Sequence, residues 1–231
     1  MIENGLHLRV IENKDWATVL FVISFAAIAI TKAAFEGRFA DFAKLIYSDK
    51  YTSVYKDPSN LKSGFTISLF IIQIISLAFF IQLSLSIFED ATKAGSNRFL
   101  KTDWILYIQI ITFLFFFVLS KYLIEKIIAT AFDIEEFVEQ FNLHKVIFRT
   151  YIGLFILPIN IILFYHDSFS INFILFIIAT IIIINILTYF VSIKNYQNII
   201  FSNLFYFILY ICALEIAPYY FMYYWFTKVI A

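Results

Sequence analysis

The sequence predicts an all-α fold, a polytopic transmembrane bundle of about six spans with one interfacial amphipathic helix, and three observations carry that expectation. Hydrophobic residues make up 62% of the chain and charged residues 15%, against about 45–50% and about 25% in soluble domains. Mean hydropathy is +0.85. Several apolar runs reach the roughly eighteen uncharged residues that a spanning helix needs. None has the short alternating pattern of a barrel strand, so helices, which satisfy their own backbone groups, are the spanning form. Residues 1–231 read as a single integral membrane domain.

The first span runs from about residue 16 to 35, interrupted late by Lys32, whose stem can carry its charge to the interface. Ahead of it, Arg9 and Lys14 are offset by Glu3, Glu12 and Asp15, so a cleaved leader is not expected and the first span should be retained. In the following loop Phe35, Phe39, Phe42, Ala43 and Ile46 repeat at helical spacing, with Glu36, Arg38, Asp41 and Lys44 on other faces. That pattern predicts a short helix lying in the membrane interface. Asp57-Pro58-Ser59-Asn60 predicts a turn before the second span, residues 63–88.

The third span covers residues 104–121. Beyond Lys121, the residues Ile124, Ile127, Ile128, Ala131, Ile134, Phe137, Val138 and Phe141 continue an apolar helical face, while Asp133, Glu135, Glu136 and Glu139 form an acidic one. Anionic headgroups repel such a face, so it is either a partner surface or a solvated helix end closed by Lys121, Lys126 and Lys145. The fourth span, residues 146–165, starts beside Lys145 and Arg149; the fifth and sixth cover residues 168–193 and 204–226. Aromatics at Trp16, Trp104 and the Tyr219–Trp225 cluster sit where spans meet headgroups, as anchors do.

Seventeen basic and seventeen acidic residues cancel, which argues against a nucleic-acid surface. In the six-span arrangement Lys32, Arg38, Lys44, Lys50, Lys56, Lys62, Lys121, Lys126, Lys145, Arg149 and Lys194 share one side, leaving Arg9, Lys14, Lys93, Arg98, Lys101 and Lys228 opposite. The positive-inside rule then places both termini in the periplasm.

The residue that stands out chemically is Glu215, the one charge-capable side chain between Lys194 and Lys228. An ionised carboxyl in mid-membrane costs roughly 2.5–3.5 kcal/mol, so this one must be protonated, paired or wet. Cys212, Glu215 and Pro218 share a helix face by their i, i+3 spacing, and Pro218 leaves the Leu214 carbonyl without its helical donor. Glu215 can satisfy that polar notch structurally, or it can carry a proton or cation. The amides Gln73, Gln82, Gln109, Asn160, Asn172 and Asn185 suit either reading, as relay members or as hydrogen-bond partners between helices. Pro158, near Gly153 and Asn160, should bend the fourth span.

Enzymatic patterns fail. Glu135-Glu136 with His144 approaches the glutamate pair and histidine of intramembrane prenyl-processing-type proteases, but Gln140 stands where those need Arg. His7, His144 and His166 fall near interfaces as headgroup-level polar residues, so neither a serine–histidine dyad nor a haem pair is expected. The single cysteine, Cys212, excludes an intramolecular disulfide and a thiolate cluster, and no metal or cofactor is expected.

Leu209-Tyr210-Ile211-Cys212-Ala213-Leu214-Glu215-Ile216-Ala217-Pro218 resembles the terminal Leu-Tyr-x-Cys-x-x-Glu-x-x-Pro pattern of an uncharacterised polytopic inner-membrane protein family of Bacteroidota. Arg38-Phe39 and Gly153 through Pro158 add to the likeness. The resemblance implies a multi-pass bacterial inner-membrane protein and transfers no reaction; a secretion or gliding machine is the kind of complex it suggests. The expected function is a non-enzymatic structural or accessory subunit in contact with membrane lipids and a membrane protein partner or further copies of itself. The alternative is a proton- or ion-coupled small-molecule carrier using Glu215.

Overall fold

The computed structural model describes residues 15–45, 51, 54, 55, 57, 59, 60, 63–92, 104–131, 135–166, 171–195 and 220. Over these the chain is helical, in the order α1 (Asp15–Ala34), α2 (Glu36–Ala43), α3 (Gly64–Thr92), α4 (Trp104–Ala131), α5 (Glu135–Tyr165) and α6 (Ile171–Asn195). All but α2 are long and apolar enough to cross a membrane. The expected sixth span, residues 204–226, lies outside the described residues except for Tyr220.

Helix α3 is the centre. Of its apolar window 56% is buried, against 11% in α4 and in α6, so α4 and α6 turn most of their surface outward. Its main partner is α5, and the two sequences show why. On α3 the positions Leu69, Gln73, Ser76, Phe80 and Leu83 advance by alternating steps of four and three, and all are buried. On α5 Thr150, Gly153, Leu157, Asn160 and Phe164 do the same. Such spacing keeps one seam of each helix facing the other. Within the seam Thr150 Oγ1 donates to Gln73 Oε1 at 3.1 Å, and Asn160 Nδ2 donates to the Ser76 carbonyl at 2.8 Å. Residue numbers rise together along both helices, so they run parallel.

Gly153 sets the closeness of this contact. A Cβ placed there would lie 2.9 Å from Gln73 Cα and 2.6 Å from its Cγ, inside any real carbon–carbon contact. Small residues at a membrane helix interface let backbones approach and dispersion forces act, which matters because lipid offers no hydrophobic drive to associate. The amide expectation is met in part: Gln73 and Asn160 bond across helices, whereas Asn185 donates 2.8 Å back to Ile181 O of its own helix. Ser24, Thr31, Ser84, Thr180 and Thr188 also bond to carbonyls four residues earlier. These hydroxyls thus meet the apolar surroundings already satisfied.

Far from Gly64, an aromatic cluster joins the spans. The buried ring of Phe79 lies 4.7 Å from Phe21, 5.3 Å from Phe164, 5.8 Å from Trp16 and 5.9 Å from Tyr107, linking α1, α3, α4 and α5. Trp16, at the start of α1, packs against Phe79 and Tyr107, and Trp104, at the start of α4, is exposed.

Two helix ends lie beyond the expected span limits. The helix that carries the third span does not stop at residue 121 but continues to Ala131, and the one that carries the fourth begins at Glu135 instead of 146. The apolar face read as continuous from Ile124 to Phe141 belongs to two helices: Ile124 and Ile127 face outward on α4, while Val138 and Phe141 are buried on α5. A connection of a few residues inside a run of unbroken helical period leaves no trace in the pattern. The helix predicted in the first loop is present as α2, but its apolar face packs on protein. Phe42 is buried, with its ring 5.8 Å from Phe65 and 5.5 Å from Tyr151. The predicted turn is formed, with Ser59 N donating to Asp57 Oδ1 at 3.1 Å.

Replacing Gly153 tests the seam. Alanine gains about 1 kcal/mol of helix propensity, but overpacking against the Gln73 backbone costs about 1–3 kcal/mol. Thermal unfolding in detergent should show Gly153→Ala destabilised and Gly153→Val more so; a Val variant as stable as the parent contradicts the close approach.

Candidate functional site

The residues singled out in the sequence divide into two groups. Cys212, Glu215 and Pro218 lie outside the described residues, as do Asp133 and the side chain of Glu136. Glu135 is exposed and accepts a 2.5 Å hydrogen bond from Thr130 Oγ1 of α4. Glu139 is half-buried and lines a small crevice with Lys126, Tyr122 and Asn142. The acidic stretch therefore begins by closing onto α4.

One turn deeper, the structure assembles a site that the charge map did not suggest. Lys145 Nζ donates to Glu125 Oε1 at 3.3 Å, and both side chains are only 5% exposed. Lys145 also lies 4.9 Å from the centre of the Phe141 ring, so its charge is met by a carboxylate on one side and an aromatic face on another. Around the pair, Lys121, Asn142 and His144 are buried and Arg149 is half-buried. His144 is enclosed by protein.

Helix register explains the gathering. Lys121 and Glu125 are one turn apart on α4; Asn142, Lys145 and Arg149 follow each other at three and four residues on α5. Each set therefore occupies one face, and the antiparallel pairing of α4 with α5 puts the two faces together. Opposite charges at one-turn spacing near the adjoining ends of consecutive spans are the signal that could have found this site. Reading each charge as a span boundary hid it.

The pair borders a cavity of about 480 Å³ between α3, α4 and α5. Its polar end holds Thr66, Lys121, Glu125, Asn142, Lys145 and Arg149; its deeper wall is Ile67, Phe70, Phe115, Val118 and Leu119. Thr66 connects it to a second cationic centre. Arg38 of α2 donates from Nη2 to Thr66 Oγ1 and from Nε to the Tyr51 hydroxyl, each at 3.3 Å. Its guanidinium carbon lies 4.8 Å from the Tyr55 ring centre and 4.9 Å from that of Phe65. Thr66 Oγ1 in turn donates to the Asn60 carbonyl at 2.8 Å, leaving its lone pairs for Arg38. Burial pushes the Tyr51 phenol above its ordinary pKa, with Arg38 acting against the shift. Among the described residues no group of His, Cys, Asp and Glu is placed to hold a metal.

The family model named Domain of unknown function (DUF4271) matches residues 17–226. The chain belongs to that family. The match takes in α1 to α6, the ion pair and the residues of the expected sixth span. No match was found among curated proteins or among solved structures. Within this DUF4271 chain, two stretches noted in the sequence now have structural roles: Arg38 ties α2 to α3, and Gly153 admits the α3 backbone.

Removing one member of a buried ion pair strands its partner, typically at about 3–5 kcal/mol, while replacing both with apolar residues is often neutral. Glu125→Leu and Lys145→Met should therefore each lower thermal stability strongly, and the double variant should recover most of the loss. Additive losses in this double-mutant cycle contradict a direct pair.

Proposed function

We propose that this DUF4271 chain is a non-enzymatic inner-membrane protein, a structural or accessory subunit of a membrane complex that acts through helix–helix contacts. The observation that carries the reading is the use made of polar groups within the described spans. Gln73 with Thr150, Asn160 with Ser76, and Glu125 with Lys145 each join one helix to another. Groups of these types can serve relay or acid–base chemistry, but here they supply the directional contacts that helices in lipid need. The outward apolar faces of α4 and α6, with Phe113, Phe116, Ile182 and Ile183 exposed, suit lipid or the spans of a partner. The exposed Glu135 at the start of α5 offers an acidic contact outside the hydrocarbon. The resemblance to Bacteroidota proteins favours a secretion or gliding machine as the complex.

Mild-detergent co-purification of the full chain from its own membrane tests this. A stoichiometric membrane protein partner, weakened by Glu135→Lys with Glu136→Lys, is the expected result. Solute or ion flux by the purified chain in liposomes, abolished by Glu215→Gln with stability intact, would replace this reading with the carrier.

Orientation follows the basic residues of the first loop, Arg38 to Lys62, which the positive-inside rule assigns to the cytoplasm, with the termini periplasmic. In a Cys212→Ser background, cysteines at positions 59 and 96 should label from opposite sides, position 96 from the periplasm. Labelling of both from one side contradicts the arrangement.

A further inference from the structure

We propose that the cavity between α3, α4 and α5 binds the phosphate head and the upper tail of an anionic membrane lipid. Depth, charge and shape support this independently.

Depth follows from helix length. Helix α4 has 28 residues and α5 has 31, about 42 and 46 Å at 1.5 Å per residue, whereas the hydrocarbon core is only about 30 Å thick. Counting roughly twenty residues from Trp104 along α4 reaches Leu123, and counting the same distance back from Tyr165 along α5 reaches Val146. Lys121, Glu125, Lys145 and Arg149 all fall within about a turn of those points. Thr66 is at the start of α3, the same end of the bundle because α4 descends toward its last residues and α5 rises from its first. The polar end of the cavity is thus level with lipid headgroups.

Charge selects the head. Among the described residues that line the cavity, Lys121, Lys145 and Arg149 stand with one carboxylate, Glu125, which accepts from Lys145. The described lining is positive on balance. Lysine ammonium and arginine guanidinium groups are the donors that phosphate oxygens bind best, and Thr66 and Asn142 add neutral hydrogen-bonding groups. A zwitterionic head brings a second cation into this setting and gains less.

Shape selects the tail. Phe115 lies ten residues from Glu125 along α4, about 15 Å toward the membrane centre. Together with Ile67, Phe70, Val118 and Leu119 it makes an apolar slot leading away from the charged end. A free anion leaves that slot unused. The other large cavity, about 620 Å³ between α5 and α6, shows the contrast. Its described lining includes Phe155, Ile177 and Ile184 and no charged residue, and its Thr180 and Thr188 hydroxyls donate to their own helix.

Native mass spectrometry of the full-length protein in detergent, titrated with dioleoylphosphatidic acid or dioleoylphosphatidylcholine, tests the proposal. Phosphatidic acid should bind about tenfold more tightly, and Lys121→Gln with Arg149→Gln should remove that preference, as loss of charge-assisted hydrogen bonds predicts. The Glu125–Lys145 pair is left in place so that the helices stay joined. Val118→Trp, which fills the slot without changing charge, should exclude phosphatidic acid and serves where the glutamine variant does not fold. Equal binding of the two lipids overturns the proposal, as does phosphatidic acid binding that survives either variant. Displacement of the lipid by millimolar inorganic phosphate would also overturn it, in favour of a free-anion site.

Discussion

In hydrocarbon two apolar helices gain nothing from hiding from water, so a bundle must be held by close packing and by polar groups that find partners only when the helices meet. The contact of α3 with α5 meets both demands at once. Gly153 removes the side chain that would keep the backbones apart, and the shorter distance brings Gln73 to Thr150 and Ser76 to Asn160. The other described spans are arranged around this seam. Helix α1 reaches it through Phe21 against Phe79, α4 through Tyr107 against the same ring, and α2 through Phe42 against Phe65.

The same requirement governs the charges. A buried ion pair is poor evidence for stability by itself, because desolvation offsets most of the attraction. Among the described residues Lys145 is the cation bonded to Glu125, and this directional contact ties one face of α4 to one face of α5. Arg38 plays a similar part outside the spans, where one hydrogen bond and one aromatic face tie α2 to Thr66 and Phe65 at the start of α3, and a second of each ties it to Tyr51 and Tyr55 before α3. The consequence for function is that one end of the bundle is polar and cationic, whereas the described remainder of the spans is mostly apolar, with its polar side chains bonded between helices or along their own helix except for atoms such as the buried Asn160 Oδ1.

Helix existence was legible in composition because a window of about twenty uncharged residues has few other solutions. The edges of α1, α3 and α6 fell close to the expected positions, since their charges lie at or beyond the helix ends. Those of α4 and α5 did not, because Lys121, Lys145 and Arg149 lie inside helices and are compensated by packing that a linear charge map cannot represent. The amphipathic α2 was legible, but not what its face touches: periodicity reports that a helix has an apolar side and is silent on whether lipid or protein covers it. Gly153 was visible as a glycine near Pro158, while its purpose depends on Gln73, eighty residues earlier in sequence. The Glu125–Lys145 site needed the same kind of information, namely the pairing of two helices.

The parallel α3–α5 seam is tested most directly by cross-linking in native membranes, in a chain with Cys212→Ser. Ser76→Cys paired with Asn160→Cys replaces two side chains whose polar atoms approach to 3.4 Å, so oxidation should join α3 to α5 rapidly. Ser76→Cys paired with Phe155→Cys, where Phe155 faces outward, should not react. Rapid joining of the second pair and none of the first would contradict the seam and the site built on it.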